Sequence, residues 1–85
     1  MKLSIYSLKK ILFQGDASLL NCKTVQGEIT VLDNHETLIT VLSAGVIKIV
    51  PAKSPDGDSG AKFFPIKSGF LEVRPGNEVR CIVEE

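Results

Sequence analysis

Apolar and polar residues alternate with a period of two along most of the chain, and the alternation is cut at intervals by Gly, Pro, Asn and Asp. Successive side chains of a strand point to opposite faces, so this pattern predicts half-buried β-strands joined by turns. "KLSIYSL" puts Leu3 and Ile5 on one face and Ser4 and Tyr6 on the other. "ILF" is a short apolar run that "QGD" should end in a turn, and "ASLLNCKTV" reads as the next strand. "EITVL" stops at Asp33-Asn34, whose side chains bond nearby backbone and tolerate a left-handed φ. "TLITVL" sets Thr37, Ile39 and Val41 against Leu38, Thr40 and Leu42. "GVIKIV" starts at Gly45 and ends at Pro51, and the polar stretch 52–61 reads as a hairpin tip. Pro65 within "KFFPIK" predicts an edge or bulge position, because proline cannot donate to a ladder. "GFLEV" meets "EVRCIV" across "RPGN", with Pro75 preset for the second turn position and Gly76 free to take positive φ at the third. The sum is an all-β chain, a single antiparallel β-sandwich of about eight to ten short strands with no convincing helix.

Composition narrows what such a sandwich can do. The 85 residues make one domain, 1–85, with room for one modest core. Ten Lys and Arg balance ten Asp and Glu, so there is no basic field to draw in nucleic acid or an anionic membrane. No apolar run approaches the roughly 18 residues of a spanning helix, so direct membrane insertion is not expected. The N-terminal stretch lacks a small-residue cleavage site and is not read as a signal peptide. Cys22 and Cys81 have no CxxC spacing, and they read as small buried apolar residues in a reducing compartment.

Candidate chemistry is sparse. "GDSG", Gly57 to Gly60, resembles a serine-protease nucleophile segment, and His35, an Asp and Ser59 fall in the matching order. A triad needs a rigid frame and an oxyanion hole, which a polar hairpin tip of a small chain does not supply. A calcium loop counted from Asp56 puts Gly60 at its fifth position and Lys67 at its twelfth, so the ligand pattern fails. His35 is the sole histidine, and its neighbours Asp33 and Glu36 point different ways along a strand end, which leaves a turn or partner contact in place of a metal site or a base. No cofactor is expected. "TLITVL" and "VIKIV" carry large apolar residues on both faces, which fits equally a strand buried once by its own core and once by something else, or apolar residues absorbed at sheet ends and strand corners; an exposed patch would favour the first. Such a patch points to a subunit or a stand-alone protein-binding module over an enzyme.

With these residues set out, the chain resembles the N-terminal β-sandwich domain of the F-type ATP synthase epsilon subunit (called delta in mitochondria), essentially end to end. The opening strand "KLSIYS" is followed by the family's F-x-G step at Phe13-Gln14-Gly15. Gly27-Glu28 matches its G-E, and Leu32 to Leu38 lies over its L-P-G-H-A-P-L, with both prolines and the glycine of that motif replaced. Leu42, Gly45 and Ile49 fit L-x-x-G-x-x-x-I, and Lys67 to Val79, "KSGFLEVRPGNEV", fits S-G-G-F-L-E-V and the turn after it. The resemblance implies a non-catalytic rotor subunit that joins the gamma subunit to the membrane c-ring and couples proton- or sodium-driven rotation to ATP synthesis. It implies c-ring contacts at Glu28, Asp33, Asn34 and His35. Gamma contacts are expected among apolar side chains the core does not use, with Ile39, Val41, Phe70 and Leu71 as candidates. For a bacterial source it implies a peripheral subunit on the cytoplasmic face of the inner membrane. Typical members continue into a C-terminal helical hairpin, whereas these residues end at Glu84-Glu85, so a short form without the hairpin is expected.

Overall fold

The alternation becomes burial once the strands pair. The computed structural model describes residues 1–52 and 60–85. Among them run eight strands: β1 (Lys2–Ser7), β2 (Ile11–Thr24), β3 (Gly27–Leu32), β4 (Leu38–Leu42), β5 (Gly45–Pro51), β6 (Lys62–Ile66), β7 (Ser68–Arg74) and β8 (Glu78–Glu84). Every second residue of β1, β7 and β8 turns inward: Leu3 and Ile5, Leu71 and Val73, and Val79, Cys81 and Val83. They join Leu20 and Cys22 of β2, Val31 of β3 and Ile47 and Ile49 of β5 in one buried cluster. Complete burial of a Leu or Ile contributes about 1.5–3 kcal/mol, so this cluster is the main drive to fold.

Hydrogen-bonded neighbours follow the order β1-β8-β7-β4-β2-β5-β6, with β3 added on β2 and β1 also paired to β2. One layer is therefore β4-β7-β8-β1 with the first half of β2. The other is β3 and β5 flanking the second half of β2, with β6 beyond β5. The layers meet along β2, and the ring closes where Thr24 pairs with Leu42. β6 pairs with β5 alone in this order, so Pro65 lies on an edge strand as expected.

Two features differ from the sequence reading. The Gln14-Gly15-Asp16 stretch does not turn. Gly15 pairs with Leu3 and Asp16 with Lys2, so β1 takes up the backbone groups that a turn would have left to water. Immediately beyond, Ala17 N donates to Met1 O at 2.9 Å and Ala52 N donates to Asp16 O at 3.0 Å. The strand passes from one layer to the other here, and a register shift between Ala17 and Leu19 bends it, as bulges do. The sheet is also mixed, because β1 pairs with β8 in parallel from Lys2↔Glu78 to Ser7↔Val83. A parallel pair needs a long connection, and the first and last strands are joined through the whole domain.

The turns predicted at Asp33-Asn34 and across Arg74 to Asn77 do form. Gly76 has φ 84° and Asn77 φ 61° between β7 and β8, and Asn34 has φ 61° after β3. Both cysteines are free and buried, Cys22 in β2 and Cys81 in β8. Burial pushes the Cys22 thiol up to about 11, and Cys81 is raised by burial first and by Cys22 second. Residues 53–59, which hold Ser59 and most of the 52–61 tip, lie outside the described residues.

Candidate interaction surfaces

The outward side chains of the β4-β7-β8-β1-β2 layer form cross-strand rows, because each strand's register fixes which residues stand side by side. The first row is apolar through five strands: Val41, Phe70, Ile82, Tyr6 and Ile11. Phe70 is 58% exposed and Ile82 48%, against the few per cent of the core side chains beside them. The next row reads Ile39, Glu72, Arg80, Ser4 and Gln14, and Ile39 is 73% exposed. The third reads Arg74, Glu78, Lys2 and Asp16, with charge sign alternating from strand to strand. Clefts interrupt the face. One of about 280 Å³ lies between Val41, Phe70 and Ile82 over the bare backbone of Gly69, and one of about 320 Å³ lies among Lys2, Arg74, Glu78 and Arg80.

Of the four expected gamma contacts, Ile39, Val41 and Phe70 face outward on this layer, whereas Leu71 does not. Leu71 stands opposite Thr40 and Cys81, the inward parity, and is fully buried; its side chain belongs to the core. Tyr6, Ile11 and Ile82 complete the row but were missed. Ile82 lies between Cys81 and Val83 in an unbroken apolar run, so only the pairing shows that it faces out.

The loop after β3 is held by side chains of the β7–β8 turn. Asn77 Oδ1 accepts from Asn34 N at 2.8 Å, and its Nδ2 donates to Asp33 Oδ1 at 3.3 Å. Lys2 N donates to Asn77 O at 2.9 Å, which ties the start of β1 to the same turn. The Met1 ammonium donates to Asp33 Oδ1 and to Ala17 O. That hydrogen bond first, Asn77 second and the ammonium charge third hold the Asp33 carboxyl below the usual carboxylate range. Asn34 adopts the left-handed φ that glycine takes most readily, and its N–H is held by the Asn77 side chain. His35 is half-buried, and its Nδ1 lies 2.8 Å from Glu36 O.

Glu28 lies elsewhere. It is the second residue of β3, opposite Lys23, and accepts from Asn21 Nδ2 at 3.3 Å. Five residue steps of extended chain separate it from Asp33, about 17 Å. The β2–β3 turn beside Glu28 docks on the end of β4, through Val25 N to Val41 O at 3.0 Å and Ser43 N to Lys23 O at 3.0 Å. Asp33 to His35 precede the start of β4 at Leu38, where the β7–β8 turn also lies through Leu38↔Val73. The expected c-ring set is thus divided between the two rims of the domain. Among the described residues, no three His, Cys, Asp or Glu side chains converge as a metal site.

The family model for the ATP synthase delta/epsilon chain β-sandwich domain matches residues 1–85. The chain belongs to this family. Similar relatives are an ATP synthase epsilon chain of Hydrogenovibrio crunogenus, 36% identical over 75 residues (88% of this chain, 48% of that one), and one of Brevibacillus brevis, 29% identical over 84 residues (99% and 59%). This delta/epsilon-family chain spans about half the length of the curated relatives it matches. In fold it is similar to a chain in the Euglena gracilis mitochondrial ATP synthase structure (OSCP/F1/c-ring), TM-score 0.85 at 21% identity, covering 100% of this chain and 51% of that one. It is likewise similar to a chain of the Tetrahymena thermophila mitochondrial ATP synthase central stalk/c-ring structure, TM-score 0.79 at 22% identity, covering 100% and 63%.

Proposed function

We propose that this delta/epsilon-family domain is a non-catalytic rotor element of an F-type ATP synthase, joining the gamma subunit to the c-ring and coupling ion-driven rotation to ATP synthesis. The observation that carries the reading is the apolar row Val41-Phe70-Ile82-Tyr6-Ile11, with Ile39 beside it, on a face whose other rows are polar. A contiguous apolar strip beside a sealed core marks a surface that another protein covers. Gamma takes this face, through Ile39, Val41 and Phe70 with Ile82 and Tyr6.

One flat ring surface meets one rim, so the two halves of the expected c-ring set do not both touch it. We assign the ring to the rim of Glu28. The turns there leave Leu8 94% and Val25 63% exposed beside the exposed Lys9, Lys10 and Gln26. At the other rim the Asp33 carboxylate and the Asn34 backbone N–H are already bonded to Met1 and Asn77. No helix among the described residues is long and apolar enough to cross a membrane, and the domain is taken as peripheral, on the cytoplasmic face.

Reconstitution tests both halves. The chain mixed with gamma should elute as a one-to-one complex, and Phe70→Asp should abolish it while the domain stays folded. Cysteine at Glu28 should cross-link to a cysteine in the polar loop of the c-ring, and cysteine at His35 should not. Failure to bind gamma, or the reverse cross-linking pattern, overturns the corresponding half.

A further inference from the structure

We propose that the element of the partner seated on this face is an amphipathic helix lying across the strands, along the row from Val41 to Ile11. The inference rests on the reading that this face binds gamma, and it specifies which kind of structure binds. Neighbouring strands stand about 4.8 Å apart, so the row offers one apolar side chain at each 4.8 Å step and spans about 19 Å. A helix presents one apolar position per turn of 5.4 Å along a stripe, so about thirteen residues of helix keep step with the five strands. An extended segment presents same-face side chains every 6.6–6.8 Å, roughly, and loses register with the row after two strands.

The rows beside the strip fit the polar flank of the same helix. Glu72 and Arg80 in the second row and Arg74, Glu78, Lys2 and Asp16 in the third comprise three charges of each sign. Neighbours alternate at the strand spacing, which matches opposite charges placed one turn apart on a helix flank. A neutral, alternating array gives an anionic membrane no net attraction. The cleft over Gly69 accepts one projecting side chain between Phe70 and Ile82, where a helix would place a Leu or Met. A Cβ at Gly69 would lie 2.5 Å from Ile82 O, so β7 and β8 approach closely beneath this socket.

The test uses the chain in complex with gamma. A photoreactive phenylalanine analogue is placed in turn at Val41, Phe70, Ile82 and Tyr6, and the cross-linked gamma residues are read by mass spectrometry. The helix reading expects the gamma position to shift by three or four residues per strand, in one direction. Phe70→Ala should weaken gamma binding by roughly tenfold or more, as central aromatic anchors do. Steps of about two residues, positions scattered over several loops, or capture of a second copy of this chain each overturn the helix. So does a complex that forms yet gives no cross-link from this face. If the unmodified proteins form no complex, the rotor reading itself fails and the inference goes with it.

Discussion

Asn77 shows how much one side chain can organise. Its amide oxygen satisfies Asn34 N, its amide nitrogen reaches Asp33, and its own backbone sits at positive φ. Asn77→Gly keeps that φ available and removes the bridge, so it isolates the hydrogen bonds from the backbone geometry. We expect it to lower stability by about 1 kcal/mol, read by thermal unfolding, with faster amide exchange at Asn34. Asp33 adds a pH dependence of definite sign. Its carboxyl is held low in the folded state, chiefly by the Met1 ammonium and then by Asn77, so its contribution is present above the ordinary value of 3.8 and is lost as pH falls through the depressed one. Wild-type protein should therefore lose stability on acidification below about pH 4 more steeply than Asp33→Asn, and parallel melting curves would contradict it. The left-handed Asn34 was legible in the sequence, since Asp-Asn after an apolar run needs only local chemistry. The Asn77 bridge was not, because it joins residues 43 positions apart.

At the scale of elements, alternation identified nearly every strand, and the inward parity of β1, β7 and β8 follows from it directly. What it missed was pairing. Gln-Gly-Asp carries a turn's residues, yet β1 pairs along the whole stretch, Ala52 N just past β5 donates to Asp16 O, and the chain stays extended. Leu71 and Phe70 look alike as apolar neighbours, and only the choice of inward face separates core from surface. The close approach of β7 to β8 gives a test. An added Cβ at Gly69 would lie 2.5 Å from Ile82 O and 3.0 Å from Val83 Cα. Both are ladder backbone, which yields little, so Gly69→Ala should destabilise by about 1–3 kcal/mol in urea unfolding. Phe70→Ala, one residue along and exposed, should leave the midpoint nearly unchanged.

For the molecule as a whole, the two thiols report on integrity. Cys22 and Cys81 are sealed in the core with raised pKa values, so alkylating reagents should label neither until the domain opens. Unfolding returns Cys22 from about 11 to its ordinary 9.0, so its contribution is complete below pH 9 and declines toward pH 11. Stability measured across that range should fall, and Cys22→Ala should flatten the slope. The parallel pairing of the first and last strands carries a mechanical consequence. A pull that draws the start of β1 away from the end of β8 loads all the rungs from Lys2↔Glu78 to Ser7↔Val83 together, in shear, instead of peeling them one at a time. Such a joint resists force far better than a hairpin pulled open from its tip. In the rotor element proposed above, the seam between β1 and β8 would be the last to slip.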